Sequence, residues 1–163
     1  VNVAELIARE HIRELVARYN AFGDAGRVDD VAGLFAEDGH LHVSDPTGSV
    51  TVRGRSQIAR LLTDVKASWS RDDEPCYVRH YVSTHIIGVT GEDIAHGSAH
   101  VLVLRPGGTV TSGRYFDRYR RDGDRWLFAH RRAHADSPSV AATLAARSPA
   151  CALRDIPEDE PSH

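Results

Sequence analysis

The chain has 163 residues, 41% hydrophobic and 26% charged, with a formal net charge of -3. That is about one domain, long enough to bury a real core, and the composition excludes wholesale disorder. The mildly acidic balance gives no basic footprint for a nucleic acid, and no apolar run approaches the roughly 18 residues of a membrane span.

Asn2 followed three residues later by Glu5 is a capping-box pattern, and behind it Ile12, Leu15, Val16 and Tyr19 form one apolar stripe at helical spacing. The acidic start, without an apolar core segment, does not read as a secretory signal. Gly23-Asp24-Ala25-Gly26 should stop this helix. A short second helix then carries Val28, Val31, Leu34 and Phe35 on one face. Strand-like segments follow at 40–43 and 50–53, joined by the turn Asp45-Pro46-Thr47-Gly48. Ser56 is expected to cap a third helix with Ile58, Leu61, Leu62, Val65 and Trp69 at helical spacing, and Ser70 to Glu74 reads as a charged loop.

From Cys76 to Ala135 the pattern is four long strands, broken at Gly91-Glu92-Asp93, Pro106-Gly107-Gly108 and Asp122-Gly123-Asp124. Helices first and an antiparallel run of strands afterwards make an α+β domain over residues 1–136. Residues 137–163 read as a tail that packs at the pocket mouth or at a subunit contact. The third strand carries apolar residues on both faces, Val78, Val82 and Ile86 on one and Tyr77, Tyr81 and Ile87 on the other. A second apolar face needs cover, so a homodimer or homotrimer is expected.

Ten histidines invite a metal, but there is no HExxH, and the pairs His40/His42, His80/His85 and His96/His100 lack a nearby carboxylate. No metal and no cofactor are expected. His40 and His42 share one strand face, opposite Leu41 and Val43, and should be exposed or at a subunit contact. Cys76 and Cys151 have no ligand spacing and read as free thiols of a cytoplasmic protein. The run Arg118-Tyr119-Arg120-Arg121 reads as a solvated hairpin. Arg131, if inward, needs a carboxylate or a substrate anion beside it.

His85 stands inside a long apolar strand, and Asp24 in a glycine-flanked turn. A carboxylate bonded to one ring nitrogen would fix the tautomer and leave the other nitrogen for proton transfer. The segments Tyr19-Asn20-Ala21-Phe22-Gly23-Asp24, Leu34-Phe35-Ala36-Glu37-Asp38, Thr84-His85-Ile86-Ile87-Gly88 and Gly113-Arg114-Tyr115-Phe116-Asp117-Arg118-Tyr119, with Asp122 to Trp126 and Arg131, resemble the SnoaL-like family over roughly residues 5–136. That family belongs to the nuclear-transport-factor-like superfamily and is close to scytalone dehydratase and bile-acid dehydratase.

The resemblance implies a cone-shaped barrel, a curved antiparallel sheet wrapped around N-terminal helices over one pocket. It implies His85 as general acid/base, oriented by Asp24, with Tyr19 as a further catalytic residue. Tyr115, His100, Arg131 and Trp69 are the candidate substrate-binding residues. Val43 and Leu104 stand where scytalone dehydratase has a catalytic tyrosine and a second pocket histidine. The expected activity is a cofactor-independent lyase, isomerase or cyclase acting on a small apolar ring compound, polyketide- or steroid-like. Two alternatives stay open on the same fold: a non-catalytic small-molecule binder, and the small structural subunit of a ring-hydroxylating dioxygenase.

Overall fold

A computed structural model describes residues 2–69, 78–105 and 110–138, with the side chain of Trp69 outside the described set. The expected charged loop, both cysteines, the Gly107-Gly108 turn and nearly all of the tail fall outside the described residues.

Helix α1 spans Val3–Asp24, and its N-cap Asn2 accepts the Glu5 backbone N–H through Oδ1 at 2.9 Å. Its buried stripe, Ile12, Leu15 and Val16, follows the helical period. The helix ends in a turn that closes at Gly26, whose φ of 68° is left-handed backbone that favours glycine. Helix α2 is Val28–Gly33, shorter than its periodicity suggested. Phe35 opens strand β1 (Phe35–Asp45) and is fully buried, so the apolar pair Leu34-Phe35 marks the helix-to-strand junction.

Strand β2 (Gly48–Arg53) returns antiparallel to β1, and helix α3 runs from Arg55 to Trp69. Ser56 is therefore already inside α3 and does not cap it. Strands β3 (Arg79–Val89), β4 (Ile94–Leu104), β5 (Val110–Asp122) and β6 (Arg125–Ala135) form the long meander.

The six strands make one curved, unclosed sheet in the order β2-β1-β6-β5-β4-β3. Every pair is antiparallel except β1 with β6, which run parallel. The concave face holds the core: Phe35, Leu41, Tyr119 and Phe128 pack against Ile12 of α1 and Ile58 of α3. Arg118 and Arg120 do face solvent, but Tyr119 between them is 1% exposed, so the expected solvated hairpin is an alternating strand.

The alternation expected for β3 breaks in the middle. Ser83 pairs with His100 and Ile86 with Ser98, so Thr84 and His85 together oppose Ala99. Two residues against one is a β-bulge, and Thr84 takes φ 52°, a costly value for a β-branched residue. Past the bulge the faces exchange. Ile86 is exposed and Ile87 buried, the reverse of continuous pairing with Val78 and Val82. The convex face exposes Tyr81, Ile86, Leu102 and Phe116.

Candidate functional site

A cavity of about 270 Å³ lies between the concave face and the helices. Its walls are mainly aliphatic, with Val28 and Leu62 from the helices and Val101 and Val103 from β4. Tyr19, Asp24, Val43, His80 and Tyr115 also line it.

Asp24 is the last residue of α1, and β3 packs beside that helix end. Its carboxylate meets His80, not the expected His85. Nδ1 of His80 lies 2.6 Å from Asp24 Oδ1, and the His80 backbone N–H reaches Asp24 Oδ2 at 3.3 Å. Both side chains are largely buried, at 14% and 17% exposure. The double contact orients the ring: with Nδ1–H donating to the carboxylate, Nε2 carries the lone pair. The sequence held the signal for this. His80 lies two residues from both Val78 and Val82, and side chains at that spacing share a strand face.

His85 lies elsewhere. The bulge turns it partly inward, and its Nε2 stands 3.5 Å from the Tyr119 hydroxyl, outside the lining of the cavity. Burial lowers its pKa, and Arg131 and Arg13 push the same way against the pull of Asp117. His100 is also corrected. Ala99 and Val101 are buried, so His100 between them points to the convex face.

Arg131 faces inward but does not line the cavity. It is fully buried, with Nε and Nη2 donating to Asp117 Oδ1 and Oδ2 at 2.8 and 2.7 Å. Tyr19, Tyr115 and Phe128 enclose the guanidinium, each ring centroid 4.1–4.2 Å from Cζ. Its carboxylate is thus internal, and the binding role expected of Arg131 gives way to support of the two cavity tyrosines. Burial opposes the Arg131 charge, yet Asp117 outweighs it and holds the pKa above the usual value. Asp117 also accepts the Tyr119 hydroxyl at 2.9 Å.

The Tyr115 hydroxyl donates to Asn20 Oδ1 at 3.1 Å, and Asn20 in turn donates to the Val16 carbonyl at 2.8 Å. Tyr115 thus offers the cavity its ring more than its hydroxyl. Burial raises the pKa of both Tyr19 and Tyr115, although Arg131 opposes the rise, so each stays a neutral phenol. Trp69 ends α3, and its expected role rests on a side chain outside the described residues. Sequence reasoning missed Lys66, Arg105 and Thr111, which also line the cavity. Among the described residues no group of three or more His, Cys, Asp or Glu is placed to hold a metal ion. No described helix is long and apolar enough to cross a membrane.

Residues 4–132 match the profile of the SnoaL-like domain. The chain belongs to that family. No curated protein matches this SnoaL-like chain in sequence. Among solved structures, an NTF2-like protein with a cystatin-like fold from Novosphingobium aromaticivorans is 27% identical, with a TM-score of 0.61 over 88% of this chain and 96% of that one. A proposed scytalone dehydratase from the same organism is 22% identical, with a TM-score of 0.67 over 81% and 86%. A hexachlorocyclohexane dehydrochlorinase from Novosphingobium barchaimii is 18% identical, with a TM-score of 0.69 over 83% and 90%. The β subunit of a proposed aromatic-ring-hydroxylating dioxygenase from N. aromaticivorans is 18% identical, with a TM-score of 0.70 over 86% and 96%. At such identities these likenesses show the fold.

Proposed function

We propose that this SnoaL-like protein is a cofactor-independent lyase that eliminates water or a similar leaving group from a small, largely apolar ring compound. The observation that carries the reading is the Asp24–His80 pair, 2.6 Å apart at the wall of an aliphatic cavity. His80 Nε2 takes a proton from the carbon next to a carbonyl of the substrate. Its electrons form the enolate, and the Tyr19 phenol donates a hydrogen bond to the developing oxyanion. Asp24 stabilises the imidazolium, which returns the proton to the leaving hydroxyl as the double bond forms. A double-bond shift uses the same proton transfers without a departure, so isomerisation belongs to the same site. The dehydratase and dehydrochlorinase names among its structural neighbours support elimination chemistry.

The test is a β-hydroxytetralone, which becomes a strongly absorbing naphthol after losing water. His80→Ala should lower turnover about 10²–10⁴-fold, the usual share of general acid–base catalysis. Asp24→Asn should cost nearly as much, and the double variant little more, because the two act as a unit. Full activity in both single variants would refute the mechanism. Tight binding without turnover of this or any related ring alcohol would make the protein a binder instead.

A further inference from the structure

The convex face of the sheet divides into two halves of different chemistry. Exposed Tyr81, Ile86 and Leu102 sit on β3 and β4, whereas β5, β6 and β1 turn arginines and histidines outward. Tyr115, Asp117 and Arg131 at the alternate positions are buried, which fixes the outward set. Register partners share a face, and here they fall into rows. Arg118, His130 and His40 form one row across the three strands, and Arg114, His134 and Ser44 another. Between these rows Arg132 lies beside Phe116, its Cζ 4.9 Å from the ring centroid. None of these outward positions is an acid. Arg120, at the rim, is taken up by Asp38 at 2.6 Å. Arg118 and Arg132 are exposed and have no carboxylate partner among the described residues.

The chain leaves β6 at Asp136, whose carboxylate lies 3.8 Å from Arg114 of the same face. The sequence that follows carries Asp155, Glu158, Asp159 and Glu160 within a short stretch, with Arg154 the one adjoining arginine. We propose that this acidic segment, residues 155–160, folds back and docks on Arg118 and Arg132 of its own chain. Residues 139–154 intervene, a contour of up to about 55 Å at about 3.4 Å per residue. Arg118 is about 14 Å up β5 from Arg114, so the span is ample. A second copy laid face to face on these rows sets arginine against arginine, which favours an occupant of opposite charge. Each exposed ion pair contributes little alone, but the tether holds the segment at an effective concentration on the order of millimolar. The docked segment neutralises the arginine half of the face and leaves the apolar half open to a second copy. The Asp24–His80 pair, at the cavity on the concave side, takes no part in it.

NMR spectra of the full chain test this, with Asp155→Asn, Glu158→Gln, Asp159→Asn and Glu160→Gln combined in one variant. That variant should shift the amide signals of Arg118 and Arg132 and the ring signals of His130, and leave Val101 and Val103 at the cavity unchanged. Salt at about 0.5 M should move the wild-type signals the same way, because exposed pairs are screened. Trypsin reads the contact from the other side, through cleavage after Arg147 and Arg154. An Arg118→Gln, Arg132→Gln variant leaves the acidic segment intact and should be cut about 3- to 10-fold faster, the factor that two exposed pairs supply. Circular dichroism checks that both variants keep the fold. Unchanged signals on β5 and β6, or an unchanged cleavage rate in the arginine variant, would each overturn the docking. Shifts confined to the cavity residues would overturn it too, and would place the segment at the pocket mouth instead.

Discussion

Asp117→Ala should be among the most damaging single changes in this protein, although Asp117 does not line the cavity. It removes the partner of a guanidinium that is 0% exposed and that cannot shed its proton in a protein. Both charge-assisted bonds, at 2.8 and 2.7 Å, are lost with it, and Tyr119 loses the acceptor of its hydroxyl. Removing one partner of a buried pair costs about 3–5 kcal/mol, and the orphaned phenol adds about 1 kcal/mol. The three enclosing rings remain, but cation–π contact offsets only about 2 kcal/mol even when desolvated. Against a total stability of about 5–15 kcal/mol the net loss of about 2–4 kcal/mol is a large fraction. At about 2–4 °C per kcal/mol for a chain of this size, Tm should fall by roughly 4–16 °C. Urea unfolding followed by circular dichroism, with calorimetry alongside, reads the change. An Asp117→Leu, Arg131→Met double variant removes both charges for apolar groups and should regain most of the loss. A single variant costing under about 1 kcal/mol, or a double variant no better than the single, would refute this account of the pair.

Acid should weaken the fold through its histidines. His130 pairs in register with His40 on one side and Arg118 on the other, and burial followed by His40, His42 and Arg118 pushes its pKa down to about 4 against the pull of Asp117. The unfolded value is about 6.5, so between the two the unfolded chain binds a proton that the folded one refuses, and stability falls as pH drops through that window. His42 and His85 shift the same way and add to the slope. Melting curves between neutral pH and pH about 4 should show it, and His130→Gln should flatten it; identical slopes would sink the assignment. The exposed convex residues Tyr81, Ile86, Leu102 and Phe116 should be covered by a second copy, as a dimer or a trimer. Light scattering at micromolar concentration that returns a monomer would contradict this.

The order of elements was legible because helical periodicity, turn residues and strand alternation each agree with the final fold. The four long strands fall between the predicted breaks, and α1 starts at the predicted cap. Two kinds of information were not legible. The bulge at Thr84-His85 inserts a residue without any glycine or proline to announce it, so parity past Ser83 was read one residue out of step. Long-range partners were also harder to read: no motif ties Asp24 to one histidine of β3 in particular, or Arg131 to Asp117. A motif match compares short segments along the chain, and β3 offers two histidines five residues apart. The alternation of Val78, His80 and Val82 was the better guide, because it follows from geometry.

The parallel pairing of β1 with β6 bears on how the protein is made. Ser44 and His134 lie side by side yet are 90 residues apart in sequence, and β6 sits near the middle of the sheet, not at an edge. Until that last strand arrives, the β1–β2 hairpin and the β3–β4–β5 meander are two separate sheet fragments, each with an open edge facing the vacancy. During synthesis β6 therefore fills the centre of the sheet after the other five described strands have emerged. Pairing over such a span forms more slowly than a local hairpin, so the topology favours local hairpins before the joining strand. The open edges on either side are the places where a stalled or truncated chain would pair with another copy.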